Sequence, residues 1–195
     1  MLEKGGGRPV ESLLGDTVPL SSAGAPSSAA LPACEETRKA VVAAYAILGR
    51  RAFSRAELRT RLRRGGAGDE AVEGALDWLE ARRLLDDRRY AQEAVRAGAE
   101  RKGWGARKIR QWLHQRGIEP SLADEAASAI SVEHEQGRAS DLAARQRARG
   151  RRPEQVFRFL VARGFSADVA REAALRSDEE GEMSADADCE TGDAG

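Results

Sequence analysis

The 195 residues carry 32 Lys and Arg against 32 Asp and Glu, 33% of them are charged, and only 5% are aromatic. With a mean hydropathy of -0.55, this composition disfavours one thick hydrophobic core and favours thin, helix-rich packing. The neutral total hides a division, because residues 38–176 hold 30 basic and 19 acidic side chains, a formal charge of +11 that points to a polyanion or an acidic protein surface as partner.

Taken from the N-terminus, residues 1–37 are rich in Gly, Ser, Pro and Ala without a helical or strand period, which predicts a disordered arm. The opening Met1-Leu2-Glu3-Lys4-Gly5 has no apolar leader region, and the longest apolar run, Ala40–Leu48, is far shorter than a membrane span. Cys34 and Cys189 both lie in the low-complexity ends, so a reduced cytoplasmic protein is expected. A first helix is predicted over about 39–49. Ser54-Arg55-Ala56-Glu57 then has capping-box spacing ahead of the Leu58/Leu62 stripe. Further leading helices are predicted over about 87–101 and about 138–149. From Ser177 the chain holds eight acidic and no basic residues and lacks an apolar period, which predicts a disordered acidic tail over 177–195.

Between the ends the sequence repeats itself. Ile109, Leu113, Arg116, Gly117, Ile118, Leu122 and Ala126 are matched 47 positions later by Val156, Leu160, Arg163, Gly164, Phe165, Val169 and Ala173. A looser copy, Leu58, Leu62 and Gly66, precedes Ile109, Leu113 and Gly117 by 51 positions. Apolar residues at i and i+4 share a helical face, and the following Gly can take the left-handed conformation that ends the helix. The next helix of each copy is expected to start after Asp69, Ser121 or Ser166, all suited to accept first-turn N–H groups. The expected architecture is all-α. Nine helices form three tandem three-helix repeats, 38–84, 85–130 and 131–176, in an elongated, curved array.

The central repeat carries a specific likeness. Leu84-Leu85-Asp86-Asp87-Arg88-Arg89-Tyr90-Ala91, then Lys102-Gly103-Trp104-Gly105, then Lys108-Ile109-Arg110-Gln111-Trp112-Leu113 with Arg116-Gly117-Ile118, together resemble the RecX family of recombinase regulators. Ser54–Leu62 and Phe157–Phe165 are similar to the flanking repeats of that family. The resemblance implies a modular helical protein that binds RecA filaments along their groove, contacts single-stranded and double-stranded DNA, and suppresses strand exchange, ATPase and coprotease activity in DNA repair and the SOS response. It implies no cofactor, and a monomer. Two features depart from the family pattern: Ala67 stands where a large aromatic is usual, and the arm and acidic tail fall outside it.

Ile109, Trp112 and Leu113 share a helix face and read as core, as do Val156, Phe159 and Leu160, whereas Arg107, Arg110, Gln111 and His114 fall mainly away from it. Arg101, Lys102, Arg107, Lys108 and Arg110 surround Gly103-Trp104-Gly105, and Arg145, Arg147, Arg149, Arg151 and Arg152 crowd the next inter-helix turn. A charged helix face is often only solvated surface. The corresponding placement of these two clusters in successive repeats instead makes them the candidate DNA- and filament-binding residues. Trp104 either stacks on a base or anchors its turn. Asp86-Asp87 is expected to cap the following helix, with Asp87 accepting first-turn N–H groups. His114 and His134 are isolated, no Cys pair has ligand spacing, and Gly5-Gly6-Gly7 lacks the strand, Lys and helix of a phosphate loop. Neither an enzyme nor a metal site is expected. A DNA-binding protein of helix-turn-helix type is the alternative reading, and a helical adaptor without DNA contact is the third.

Overall fold

The computed structural model describes residues 31–176, and every regular element among them is helical. The elements are α1 (Glu35–Leu48), α2 (Arg55–Arg64), α3 (Asp69–Ala81), α4 (Asp87–Arg96) with a π-helical turn over Ala97–Arg101, α5 (Ala106–Gln115), α6 (Pro120–Ser128), α7 (Val132–Arg147), α8 (Pro153–Ala162) and α9 (Ala167–Leu175). Two compact units result, the first ending at Tyr90 and the second beginning at Ala91, inside α4. The acidic tail and the arm through residue 30 lie outside the described residues.

In the first unit, α1 buries Thr37, Ala40, Val41, Ala44 and Leu48 against α3, a stripe at helical spacing. Leu58 and Leu62 of α2 meet Val72, Leu76 and Leu79 of α3, with Phe53 and Leu85 closing the cluster. Truncating either leucine to alanine removes about 2–5 kcal/mol at such a site. The Ser54 hydroxyl accepts the Glu57 N–H at 3.1 Å and the Glu57 carboxylate accepts the Ser54 N–H, so the expected capping box forms. Ala67, the small residue in an aromatic position, is partly buried beside Tyr45 and Trp78. Those two rings meet edge-on at 6.3 Å.

In the second unit, Ala139, Ala143, Val156, Leu160, Phe165, Ala170, Ala173 and Ala174 form the core of α7–α9. Ile109, Leu113, Ile118, Ala123, Ala126 and Ala127 are the buried residues of α5–α6. The glycine stops work as the spacing implies. Gly66, Gly117 and Gly164 have φ of 87°, 74° and 86°. The next residue in each case returns its N–H to the helix, Ala67 to Leu62, Ile118 to Leu113 and Phe165 to Leu160, at 3.1–3.2 Å. After α3 the same bond runs from Leu84 to Leu79, but the left-handed position is occupied by Arg83 at φ 55°.

Helix starts differ from expectation at four places. Helix α1 begins at Glu35, so residues 35–37, assigned to the arm, are helical; two glutamates in its first turn favour the positive end of the dipole. Helix α7 begins at Val132 instead of about 138, because Ser131 accepts the His134 N–H and the helix tolerates Gly137. The cap of α6 is Glu119, not Ser121, since Pro120 occupies the first helical position and Ser121 the second. Asp69 is likewise the first residue of α3 and follows its cap, Gly68, while Ser166 caps α9 as expected.

Candidate nucleic-acid and filament interface

The first basic cluster sits on the joint between α4 and α5, and much of that joint is held by the third repeat. The π-helical turn ends where the Trp104 N–H donates to the Gly98 carbonyl at 2.9 Å. A Cβ on Gly98 would lie 3.0 Å from Ile109 and 3.3 Å from the Trp104 ring, so the indole is seated against bare backbone. Arg138 of α7 donates to the Trp104 carbonyl at 3.1 Å, and Glu135 of α7 accepts the Ala106 N–H at 2.9 Å, capping α5 from outside. The Gly105 N–H donates to the Arg163 carbonyl at 2.8 Å and the Arg107 N–H to the Gly164 carbonyl at 3.1 Å. Arg163 in turn donates to the Lys102 carbonyl at 2.6 Å. Of the two readings for Trp104, the half-buried ring and its bonded backbone fit the anchor.

The side chains of this cluster divide accordingly. Lys108 donates from Nζ to the Ala162 carbonyl at 3.4 Å and lies 5.4 Å from the Trp104 ring centre. Lys102 is half-buried, 4.8 Å from the same centre. Its ammonium is pushed below its ordinary value by loss of solvent first and by the positive charges of Arg101 and Arg116 after that. Arg101 and Arg107 are exposed. Arg110 lies 3.8 Å from Asp124 of α6, both well solvated, a pair worth little in stability. Arg107, Arg110, Gln111, His114, Gln115 and Asp124 line a shallow, open concavity.

In the second cluster Arg147 turns inward and donates to the Ala173 carbonyl at 2.9 Å, covering the C-terminal end of α9. Gly150 at φ 76° ends α7, and Arg145, Arg149, Arg151 and Arg152 stay exposed around it, Arg151 lying 5.7 Å over the Phe159 ring.

The Asp86–Tyr90 string is a structural joint. Asp86, not Asp87, accepts an N–H of the first turn of α4, that of Arg89 at 3.0 Å. Asp87 instead reaches across to accept the Arg55 N–H at 2.8 Å, serving the N-terminal end of α2, where the free donors of another helix face it. Burial pushes the Asp87 carboxyl above its ordinary value, helped by the charges of Glu80 and Asp86 and opposed by Arg55. Tyr90 donates to Glu57 at 3.2 Å. The Arg55 guanidinium contacts Asp77 at 2.8 Å, Glu73 at 3.1 Å and Glu80, and Arg59 holds Glu73 bidentately at 2.6 and 2.8 Å. Sequence reasoning missed these long-range roles, since helical spacing reports which face is apolar and not which neighbouring helix end needs an acceptor. It also placed Trp112 in the core, whereas that ring is half-buried and lies 6.4 Å from Trp104. Among the described residues no cluster of His, Cys, Asp and Glu could hold a metal ion, and no helix is long and apolar enough to cross a membrane.

Three-helix modules in tandem, each stopped by the same glycine turn and carrying exposed arginines at the joints, define a modular helical-repeat protein. Sequence comparison gives the particular family. The RecX first three-helix domain matches residues 40–79 and the RecX second three-helix domain matches residues 86–126. A regulatory protein RecX from Thermus thermophilus is 38% identical over 145 residues, 74% of this chain and 96% of that protein. Regulatory protein RecX of Ectopseudomonas mendocina is 38% identical over 131 residues, 65% of this chain and 87% of that protein. The chain therefore belongs to the RecX family of regulatory proteins. The crystal structure of RecX from Lactobacillus salivarius shares the fold, with a TM-score of 0.66 at 21% identity over 71% of this chain and 94% of that one.

Proposed function

We propose that this chain binds RecA filaments on DNA as a cytoplasmic monomer and restrains their recombinase, ATPase and coprotease activities. Membership in a family of regulatory proteins supports a role exercised through binding and not through chemistry. The observation that carries the reading is what is left of the two basic clusters after their structural duties. Lys108 and Arg147 bond to backbone carbonyls, whereas Arg101, Arg107, Arg145, Arg149, Arg151 and Arg152 present exposed guanidinium groups at successive joints. Guanidinium forks suit phosphate and carboxylate equally, and a polymer of protein on DNA offers both at fixed spacing. Weak contacts repeated along such a polymer add through effective concentration.

The test replaces Arg107, Arg145, Arg149 and Arg152 by Glu, leaving Lys102 and the bonded Lys108 and Arg147 in place. Wild type and variant are titrated into preformed filaments on single-stranded DNA, following ATPase rate and filament length. The variant should keep its helical circular dichroism and lose inhibition. Full inhibition by the folded variant would mean that these joints are not the binding surface. Tight duplex binding by a wild type that ignores filaments would replace the reading with that of a general DNA-binding protein.

A further inference from the structure

Trp104, Trp112 and the cations Arg101, Lys102 and Arg116 lie beside the α4–α5 joint. Trp104 and Trp112 have ring centres 6.4 Å apart at an interplanar angle of 51°. The Lys102 ammonium lies 4.8 Å from the Trp104 ring centre, and the Arg116 guanidinium lies 4.9 Å from that of Trp112. Arg101 is exposed next to Lys102 in the chain. Ile109 and Leu113, which share the helix face of Trp112, are 1% and 0% exposed, so the core of α5 is filled by its neighbours while the larger indole keeps a solvated surface.

We propose that Arg101, Lys102, Trp104, Trp112 and Arg116 form a site for single-stranded nucleic acid, in which a base stacks against the Trp112–Arg116 pair and flanking phosphates meet the three cations. The inference deepens the DNA-directed part of the proposed function but rests on residues that the filament test leaves untouched. Trp112 and Arg116 have no place among the arginines of the two basic clusters.

A planar guanidinium already lying over an indole extends a flat, polarisable platform that accepts any base face, and only unpaired strands expose such faces. Trp104, fixed by the Arg138 and Gly98 hydrogen bonds, holds the neighbouring ring surface rigid, so little ordering is needed on binding. Arg101 and Arg116 crowd the half-buried Lys102 with charge of its own sign, and an incoming phosphate chain relieves that repulsion. An acidic protein surface would meet the cations but leave the indoles without a matching partner.

The experiment uses the full chain and a fluorescently labelled dT oligomer, with a duplex of equal length as comparison, across a salt series. Trp112→Leu should weaken binding to the dT oligomer about tenfold, leave its salt slope unchanged and scarcely affect the duplex. Arg116→Ala should weaken it as well and lower the log-log salt slope by about 0.7. Trp112→Phe, which keeps a ring for packing, should lose only a few-fold, and circular dichroism checks that each variant is folded. Wild-type affinity for the dT oligomer in both Trp112→Leu and Arg116→Ala would overturn the site. Equal losses on single strand and duplex would overturn it too, leaving a phosphate surface without stacking. If the variants hold single strands normally but fail to inhibit filaments, the surface meets protein and this inference falls while the filament reading stands. If they lose single strands yet still inhibit filaments, the site stands and inhibition resides elsewhere.

Discussion

Replacing Gly164 by alanine should damage the second unit far more than the same change at Gly150, although both glycines are left-handed stops. Gly150 has φ 76° and open space where a Cβ would go, so Gly150→Ala incurs the conformational penalty alone, about 1–2 kcal/mol. Gly164 has φ 86°, and its Cβ would overlap the backbone and Cβ of Lys108 at less than 3.0 Å. Overpacking adds about 1–3 kcal/mol, giving about 2–5 kcal/mol in all. Gly105 separates the two effects. Its φ of -78° suits any residue, yet a Cβ there would overlap the Gly164 carbonyl. Gly105→Ala should therefore lose about 1–3 kcal/mol to overlap, less about 0.4–1 kcal/mol recovered from the stiffer unfolded chain. Because the two glycines touch, the double variant should not show the sum. Urea denaturation followed by far-UV circular dichroism measures all four proteins. A Gly164→Ala midpoint no lower than that of Gly150→Ala would refute the close packing of the α5 start on the α8–α9 turn.

Arg83→Gly should stabilise the first unit by about 1 kcal/mol in urea titrations, because it relieves the left-handed strain at φ 55°. Asp87→Ala should cost about 1 kcal/mol by removing the acceptor for the Arg55 N–H, whereas Asp87→Asn keeps an acceptor and should be at least as stable as wild type at neutral pH. Since the folded carboxyl lies above its unfolded value of 3.8, the penalty for its charge is complete above the folded pKa and fades as pH falls, so the Asn advantage should shrink towards pH 3.8. Glu73 behaves oppositely. The Arg59 hydrogen bond, opposed by burial and aided by Arg55, holds it at about 2, so its contribution is present above 4.5 and is lost as pH falls towards 2. Its side chain is 38% exposed, which keeps that contribution below about 1 kcal/mol, and Glu73→Gln should remove the corresponding slope from stability–pH curves. Deleting residues 177–195, with eight acidic side chains, should tighten DNA binding at low salt, and the gain should vanish as salt rises.

The helix order and the glycine stops were legible because they depend on local chemistry. Leu58/Leu62, Ile109/Leu113 and Val156/Leu160 fix one face each, and Gly66, Gly117 and Gly164 follow at the place where each helix turns back on itself. What stayed hidden depends on the partner across a gap. Asp87 looks like a cap for its own helix, but the donors it meets belong to α2. Lys108 and Arg147 look solvated by spacing, but carbonyls of Ala162 and Ala173 end within their reach. Gly105 reads in the sequence only as a glycine beside Trp104, and its role is to let Gly164 approach. The candidate site was thus legible as a region rich in arginine, and illegible in which arginines are engaged by the fold.

Restraint of a recombinase filament by binding would show in the DNA-dependent ATPase rate of RecA filaments in the presence of substoichiometric amounts of this protein. The rate should fall by more than the molar ratio added, with parallel shortening of filaments and loss of strand exchange, because each bound copy acts on a polymer. An ATPase rate and filament length unchanged even at equimolar protein, under salt conditions where the chain binds DNA, would contradict it.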